Sequence, residues 1–480
     1  MSLHDDATQS GYIPNGFAAF SFLTKLRLSN LKLTGTVPSA LFQLPLTELY
    51  LYDNSLSGQV ASTIPATLLE LDLSGNQLSG SISPFLFDSS YSLKFLKLDS
   101  NMITGTIPDT VGNSLNLQSL ILGSNDLDCT IPLELGYLTQ LTSLDISTNF
   151  LFGTLPEAIG QISQLQYLDL SHNELSGILP GSIGNISSLT FIDLSSNNFI
   201  GSIPTSLSNL FNLVSLSLHG NDLDGEIPSE IWNLTRLSSL NLSLNNFIGS
   251  TPRLIGNNLR YLNLRSNLFS GMIVSFNDNQ NLTFLDYSFN FLTGSIPSLF
   301  ENLTSLEQLY LENNHLSGLF PSGLYLSSSL AHINVMNNNL TGSLPIILMS
   351  NLIEFNVANN QFYGTIPPTL FDNSTNLTDF QAQYNRFTGT IPTINHNFLN
   401  ILKLSHNQFT GIIPTFHLPN LTELDLSENT FNSGEIPSQI GQLTSLITLL
   451  LYSDQFQGEI PQSFSQLTNL QTLDLSYNNL

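Results

Sequence analysis

The chain repeats one short pattern along almost its whole length, with a period of about 24 residues. The stretch LDISTN at 144–149 returns as LDLSHN at 168–173 and as IDLSSN at 192–197. Its final position recurs 20 times, and neighbouring copies are always 22 to 25 residues apart. Because no interval has room for an inserted domain, the pattern predicts a single continuous array over residues 10–480, preceded by a short N-terminal segment, 1–9.

Each copy contains a Leu-x-Leu alternation, which is typical of a short strand that buries one face. One such strand cannot bury its leucines alone, so we expect the copies to stack into a long parallel sheet over a shared core. The final position is Asn in 18 of 20 copies, with Leu31 and Asp454 as the exceptions. An amide both donates and accepts, so each Asn is expected to satisfy backbone groups of its own turn and of the next. The residues of this structural Asn ladder are Asn54, Asn76, Asn101, Asn125, Asn149, Asn173, Asn197, Asn221, Asn245, Asn267, Asn290, Asn314, Asn338, Asn360, Asn385, Asn407, Asn429 and Asn478.

A second signature follows the ladder position: a Leu or Phe, then Gly-x-Ile-Pro or a variant, as at 105–108, 201–204 and 389–392. Gly permits a tight turn, and Pro blocks a continuing helix or central strand. Together, these motifs resemble the plant-specific class of leucine-rich repeat. The resemblance implies an α/β solenoid of about 20 repeats of 22–25 residues. Its expected shape is a twisted right-handed superhelix, with a parallel sheet on the concave face and a mostly irregular convex side.

Plant-type arrays usually carry cysteine-paired caps, whereas this chain has a single cysteine, Cys129. We therefore expect a solenoid uncapped at both ends, most simply a fragment of a longer array. The end at Asn478–Leu480 followed by the start at 10–14 would also continue a repeat. Head-to-tail self-association into a structural filament is thus an alternative.

The charge balance excludes some partners. With 36 acidic and 11 basic residues the net charge is −25, so nucleic acid is not expected to bind. The chain contains no run of 18 apolar residues, the length that a membrane-spanning helix would need. Its first residues do not resemble a signal peptide.

No catalytic motif is present, so we expect no enzyme activity, no cofactor and no metal site. The eight His residues are expected on the solvated surface. Asp145, Asp169 and Asp193 share one outward position in consecutive repeats, so their carboxylates should lie close together. We interpret this column as a solvated position of the repeat, since Asp is common at this position in the plant-type family.

Outward positions in repeats 11–14 combine aromatic, charged and polar residues, which is the composition of an interaction hot spot. Scattered surface aromatics without a ligand are the plainer alternative. In related receptors an Arg-x-Arg pair can hold a ligand's terminal carboxylate; here Asn263 precedes Arg265, so that ligand class is not supported. The predicted patch is Tyr261, Arg265, Phe284, Phe289, Tyr310, Glu312, His332 and Met336, and a second candidate patch is Tyr167, Asp169, Phe191 and Asp193.

The family resemblance implies an extracellular or cell-surface location. Nine Asn-x-Ser/Thr sequences permit N-glycosylation, although Asn241 points into the sheet face. The remaining candidates are Asn185, Asn233, Asn281, Asn302, Asn339, Asn373, Asn376 and Asn420.

The function implied by the resemblance is non-catalytic, extracellular ligand recognition by a receptor-like ectodomain. The ligand would be a peptide, glycan or protein, and a co-receptor is a further candidate partner. Besides the filament, the alternatives are an inhibitor of a secreted cell-wall-degrading enzyme and an ice-binding protein.

Overall fold

The computed structural model describes residues 11–252, 258–274 and 280–480, so the predicted segment 1–9 lies outside the described residues. The chain divides into two compact units, Met1–Phe247 and Ile248–Leu480, called unit 1 and unit 2 below. Among the described residues, no helix is long and apolar enough to cross a membrane.

Each Leu-x-Leu motif forms a three-residue strand whose middle side chain enters the core, except in the last strand, where Leu473 is 44% exposed. Leu144 and Leu168, for example, are fully buried register partners. The strands of unit 1 pair in parallel and in phase, as predicted, to form its main sheet. They are Lys25–Arg27, Glu48–Tyr50, Glu70–Asp72, Phe95–Lys97, Ser119–Ile121, Ser143–Asp145, Tyr167–Asp169, Phe191–Asp193, Ser215–Ser217 and Ser239–Asn241.

Unit 2 builds its main sheet in the same way, with more phenylalanine in its interior. The rings of Phe362, Phe387 and Phe409 stack in consecutive repeats, with 6.3 Å between successive centroids. The strands are Tyr261–Asn263, Phe284–Asp286, Gln308–Tyr310, His332–Asn334, Glu354–Asn356, Asp379–Gln381, Ile401–Lys403, Glu423–Asp425, Thr448–Leu450 and Thr472–Asp474.

A second set of strands begins one to three residues after the ladder position and runs up to or into the start of the Gly-x-Ile-Pro motif, where irregular chain was expected. In most repeats Pro follows the side strand instead of interrupting it, so the backbone before it remains free to pair. Gly105, at φ 79°, ends one of them in a conformation that favours glycine. The side strands are Thr34–Thr36, Ser55–Gln59, Gln77–Ser81, Met102–Gly105, Asp126–Leu127, Phe152–Thr154, Glu174–Ile178, Asn198–Gly201, Asp222–Glu226, Asn246–Ile248, Ser270–Met272, Phe291–Gly294, His315–Leu319, Asn339–Ser343, Gln361–Gly364, Arg386–Gly389 and Gln408–Phe409.

Short helices follow the Pro of this motif in many repeats, because its fixed φ suits the residue that precedes a helix. Pro108, with φ −65°, directly precedes one of them. A single α-helix is described, Thr369–Asn373. The 3-10 helices are Asn15–Ala19, Ser39–Gln43, Pro84–Phe87, Asp109–Asn113, Leu133–Tyr137, Glu157–Gln161, Gly181–Asn185, Thr205–Asn209, Ser229–Asn233, Ser298–Asn302, Ser322–Leu326, Ser438–Gln442 and Gln462–Gln466.

The Asn ladder is structural, but its partner turn is the preceding one and not the next, which corrects the prediction. The Asn125 amide donates to the carbonyls of Leu122 and Gly123 in its own turn. It also donates to Leu98 and accepts from the N–H of Ile103, both in the preceding repeat. The amide reaches backward because the outgoing chain of the preceding repeat leaves an N–H and a carbonyl unpaired there.

The two exceptions to the ladder behave differently. Leu31 is 53% exposed, and its side chain has no amide that could make the ladder hydrogen bonds. Its backbone N–H donates to Oδ1 of Asn54. Asp454 is fully buried and accepts from the N–H of Asn429, while its Oδ2 has no hydrogen-bond partner among the described residues. Burial raises the pKa of Asp454 to about 7.

One histidine contradicts the expectation that all eight lie on the surface. His396 is 4% exposed and lies in a turn between Arg386–Gly389 and Ile401–Lys403. Its Nδ1 accepts from the N–H groups of Phe398 and Leu399, and its Nε2 bonds the carbonyl of Ser374. The imidazole is buried because it satisfies backbone groups that no helix satisfies in this turn.

Candidate ligand-binding surface

Three columns of side chains form what we call the outer face of each main sheet. They occupy the positions six, four and two residues before each ladder residue, whereas the side chains between them enter the core. The residue directly before the ladder position has a left-handed backbone, such as Thr148 at φ 51° and Asn359 at φ 52°. This bend ends the strand and sets the limit of the outer face.

The predicted patch of unit 2 contains a continuous aromatic cluster. The rings of Tyr261 and Phe284, which are register partners, stack with centroids 4.4 Å apart. Tyr310 lies 5.7 Å from Phe284, and its hydroxyl bonds Gln308. Burial raises the pKa of Tyr310 to about 12, so it is a neutral hydrogen-bonding group. The structure thus brings together three of the predicted aromatic residues.

The charged members of this patch are paired with each other, which the sequence did not indicate. The Arg265 guanidinium donates to Glu312 and to the hydroxyl of Ser288, both at 2.9 Å. It also lies 4.3 Å over the ring of Phe289. Glu312 occupies an outer-face position as predicted, but it is only 6% exposed because Arg265 lies over it. The guanidinium covers the carboxylate and braces three consecutive repeats.

The last two predicted residues of the patch contact the following repeat. His332 Nδ1 lies 3.3 Å from a carboxylate oxygen of Glu354. The sulfur of Met336 accepts from the Asn356 amide at 3.7 Å. The patch therefore continues from the aromatic cluster into a polar region.

The second candidate patch, in unit 1, is also assembled as predicted. Tyr167 and Phe191 are register partners whose rings stack at 4.5 Å with 5° between their planes. The Tyr167 hydroxyl donates to Asp169 at 3.1 Å, and Asp169 is the register partner of Asp193.

The Asp column has an evident structural use. Oδ1 of Asp145, like that of Asp169, accepts from the N–H and hydroxyl of the serine two residues later. Asp193 accepts from the N–H of Ser195 in the same way. This repeated turn accounts for the column.

A third cluster, near the start of the described chain, was missed in the sequence. Glu48 accepts from both Lys25 and Arg27, at 2.5 and 3.0 Å. The Tyr50 hydroxyl bonds Glu70, and the Arg27 guanidinium lies over the Tyr50 ring. Opposite charges in equivalent positions of consecutive repeats were the available signal.

Most candidate glycosylation positions are accessible. Asn185, Asn233, Asn281, Asn302, Asn339, Asn376 and Asn420 are exposed, whereas Asn241 and Asn373 are half-buried. The side-chain nitrogens of Asn373 and Asn420 each donate to a backbone carbonyl at 2.7 Å.

Sequence comparison identifies the repeats. The leucine rich repeat family matches residues 139–199, a pair of leucine rich repeats matches 280–325, and single repeats match 67–88, 92–114, 212–234 and 420–443. Receptor-like protein 31 of Arabidopsis thaliana is 38% identical over 105 residues, which are 21% of this chain and 12% of that protein. The match thus covers a small part of that relative's length.

Solved structures extend the similarity to nearly the whole chain. The plant peptide hormone receptor RGFR1, in complex with RGF2, is 31% identical with a TM-score of 0.90, over 98% of this chain and 77% of that one. The Arabidopsis receptor kinase HAESA, in complex with the peptide hormone IDA and the co-receptor SERK1, is 32% identical with a TM-score of 0.76, over 96% and 87%. The fold and its repeats define a leucine-rich-repeat solenoid. The chain belongs to the family of plant leucine-rich-repeat receptor ectodomains.

Proposed function

We propose that this chain is a non-catalytic recognition region that binds an extended peptide across the outer face of its main sheets. The similarity to receptor ectodomains that were solved with peptide hormones supports this proposal. The observation that carries it is the aromatic cluster of Tyr261, Phe284 and Tyr310, which is half-buried on a sheet face with polar neighbours. Rigid aromatic side chains supply contact area at a low cost in conformational entropy.

The proposal includes an extracellular or cell-surface location, which the similarity to receptor-like proteins supports. N-linked glycans on the exposed sequons fit that location, because these positions lie off the outer face. A co-receptor is proposed as a second partner by analogy with the HAESA complex. Catalysis is not proposed, since the patches contain no nucleophile paired with a base.

Peptide binding tests the proposal directly. The chain is immobilised and screened with a library of short synthetic peptides whose termini are both blocked. Bound peptides are then titrated against the double variant Phe284→Ala/Tyr310→Ala. We expect their affinity to fall about tenfold or more, because the variant removes two of the three rings of the aromatic cluster. The melting temperature should stay close to that of the wild type.

A matched control removes the same residue types from another face of unit 2. Tyr363 and Phe398 are 51% and 57% exposed and lie outside the main-sheet strands. The variant Tyr363→Ala/Phe398→Ala should bind the peptides as the wild type does. Equal binding by both double variants would remove the assignment of this patch, and capture of no peptide by the wild type would remove the proposed function.

A further inference from the structure

The main sheet of unit 1 has a hollow of about 400 Å³, and Tyr167 is the one lining residue that belongs to a predicted patch. It extends across five repeats, from Ser74 at one end, over Lys97, Asp99, Ser119 and Asp145, to Tyr167 at the other. The rest of its lining is small or polar apart from Ile121. The volume falls in the range of sites that hold a small molecule or one large side chain.

The hollow exists because one repeat places small residues on the outer face. Ser119 is flanked by Phe95 in one register-paired strand and by Ser143 in the other. Two residues after Ile121 comes Gly123, where an added Cβ would lie 2.9 Å from Oδ1 of Asp145. Because Gly123 has no side chain, the Asp145 carboxylate can lie close to the backbone of this repeat, next to the hollow.

One wall of the hollow is the free face of an aromatic ring. Phe191 stacks against one face of Tyr167. On the other side the register partner of Tyr167 is Ser143, which is too small to cover the ring. The Tyr167 hydroxyl is engaged with Asp169, so the ring is held in place and presents its second face to the hollow.

Two carboxylates and one cation, Lys97, line this space. Oδ2 of Asp145 makes no hydrogen bond within the described part of the chain, because only Oδ1 is used by Ser147. Within the described ranges, no side chain makes a hydrogen bond or an ion pair with the Asp99 carboxylate. The nearby Lys97 amine lies 3.9 Å from Asp72, which offsets its charge. The lining thus carries a net negative charge beside an aromatic face.

We infer that this hollow binds the guanidinium group of an arginine side chain in a peptide ligand. The planar cation can stack on Tyr167 while its N–H groups donate to the carboxylate of Asp145 in the adjacent repeat, and Asp99, two repeats further along the hollow, adds negative charge. A lysine amine satisfies the charge but not the stacking, and an acidic side chain is repelled. The inference rests on the proposed function and names the residue class that this part of the surface selects.

The test uses the full chain and three blocked pentapeptides, acetyl-Ser-Gly-Xaa-Gly-Ser-amide, in which Xaa is arginine, citrulline or lysine. Citrulline keeps the shape of arginine but has no charge. Ligand-observed NMR titration gives the affinity of each peptide. We expect the arginine peptide to bind about tenfold or more tightly than the citrulline peptide. The lysine peptide should bind more weakly than the arginine peptide.

The double variant Asp99→Asn/Asp145→Asn should reduce arginine binding to the level of citrulline. It should also fold, because Asn241 occupies the position of Asp145 in a later repeat and makes the same bonds to its serine. The control Asp126→Asn/Asp128→Asn changes the net charge equally at exposed positions of a neighbouring segment. It should leave arginine binding unchanged. Lys97→Met should strengthen binding, since it removes a competing cation.

Acidification gives an independent readout. Burial, together with the nearby charges of Asp72 and Asp145, raises the pKa of Asp99, and burial raises that of Asp145. The hollow attracts a cation most strongly when both carboxyls are ionised, so arginine binding should weaken at a higher pH than it would beside exposed aspartates.

Equal binding of the arginine and citrulline peptides, or of the arginine and lysine peptides, would overturn the inference. So would equal loss in the two double variants, or no arginine binding at about 10 mM peptide. If library peptides bind the chain but the Asp99→Asn/Asp145→Asn variant captures the same set, this inference fails while the proposed function stands. If the wild type captures no peptide at all, both fail.

Discussion

At the scale of single residues, the ladder position shows how strictly the buried turns select an amide. An Asn supplies donors and an acceptor at the same time, whereas the carboxylate of Asp454 can only accept. Its burial without a partner for Oδ2 accounts for the raised pKa, because the protonated acid regains a donor. Asp454 therefore resembles Asn most closely when it is neutral.

The variant Asp454→Asn is expected to raise the free energy of unfolding by about 2 kcal/mol at pH 8, since it restores the missing donor. The folded pKa of about 7 exceeds the ordinary value of 3.8. The stability that the neutral acid contributes is therefore complete below the ordinary value and is lost as pH rises through about 7. Urea unfolding at pH 5 and pH 8 measures the effect. A stabilisation that is larger at pH 5 would contradict this assignment.

The left-handed residue before each ladder position offers a second residue-scale prediction. A β-branched side chain is strained there, whereas Asn tolerates the conformation. Thr148→Asn should stabilise the chain by about 0.5–1 kcal/mol, and the reciprocal Asn359→Thr should destabilise it by a similar amount. Thermal unfolding checks both. Changes of the same sign would show that backbone conformation does not determine the effect.

Residue-scale contacts also mark where prediction from the sequence ends. The burial of Glu312 depends on where the Arg265 side chain lies, two repeats away, and no periodicity specifies that. His396 is buried because its own turn lacks a helix, which its sequence did not reveal. The hollow beside Gly123 depends on small residues meeting in register across neighbouring strands.

At the scale of elements, the repeat is a strand, a ladder turn, a side strand and often a short helix. Period and alternation were sufficient to predict the main strands and their parallel stacking. The side strands were not predicted, because the Pro of the Gly-x-Ile-Pro motif was expected to prevent strand pairing. In most repeats this Pro lies after the side strand, so it does not interrupt the backbone hydrogen bonds of that strand. The aromatic clusters were predictable because parallel strands in phase place equivalent positions side by side.

Two adjacent asparagines test the role of the ladder in joining these elements. Asn197 makes four hydrogen bonds, two to its own turn and two to the preceding repeat, whereas Asn198 is exposed. Asn197→Ala should cost about 2–4 kcal/mol, because buried carbonyl and N–H groups lose their partners. Asn198→Ala should change stability by less than about 0.5 kcal/mol. Similar losses in both variants, measured by urea unfolding, would exclude a specific ladder contribution.

At the scale of the whole molecule, each unit is a stack of near-identical turns that devotes one sheet face to the core and leaves the other available. This arrangement provides a broad surface, and the contacts found on it are stacked rings and paired charges. The net charge of −25 favours basic or neutral ligands over acidic ones.

The central claim is that ligands bind across the outer faces of the main sheets. Library peptides carrying a benzophenone group, photo-crosslinked to the chain and mapped by mass spectrometry, test it most directly. We predict adducts at outer-face residues, above all around Tyr167, Phe284 and Tyr310. Adducts confined to the 3-10 helices and side strands would contradict the account.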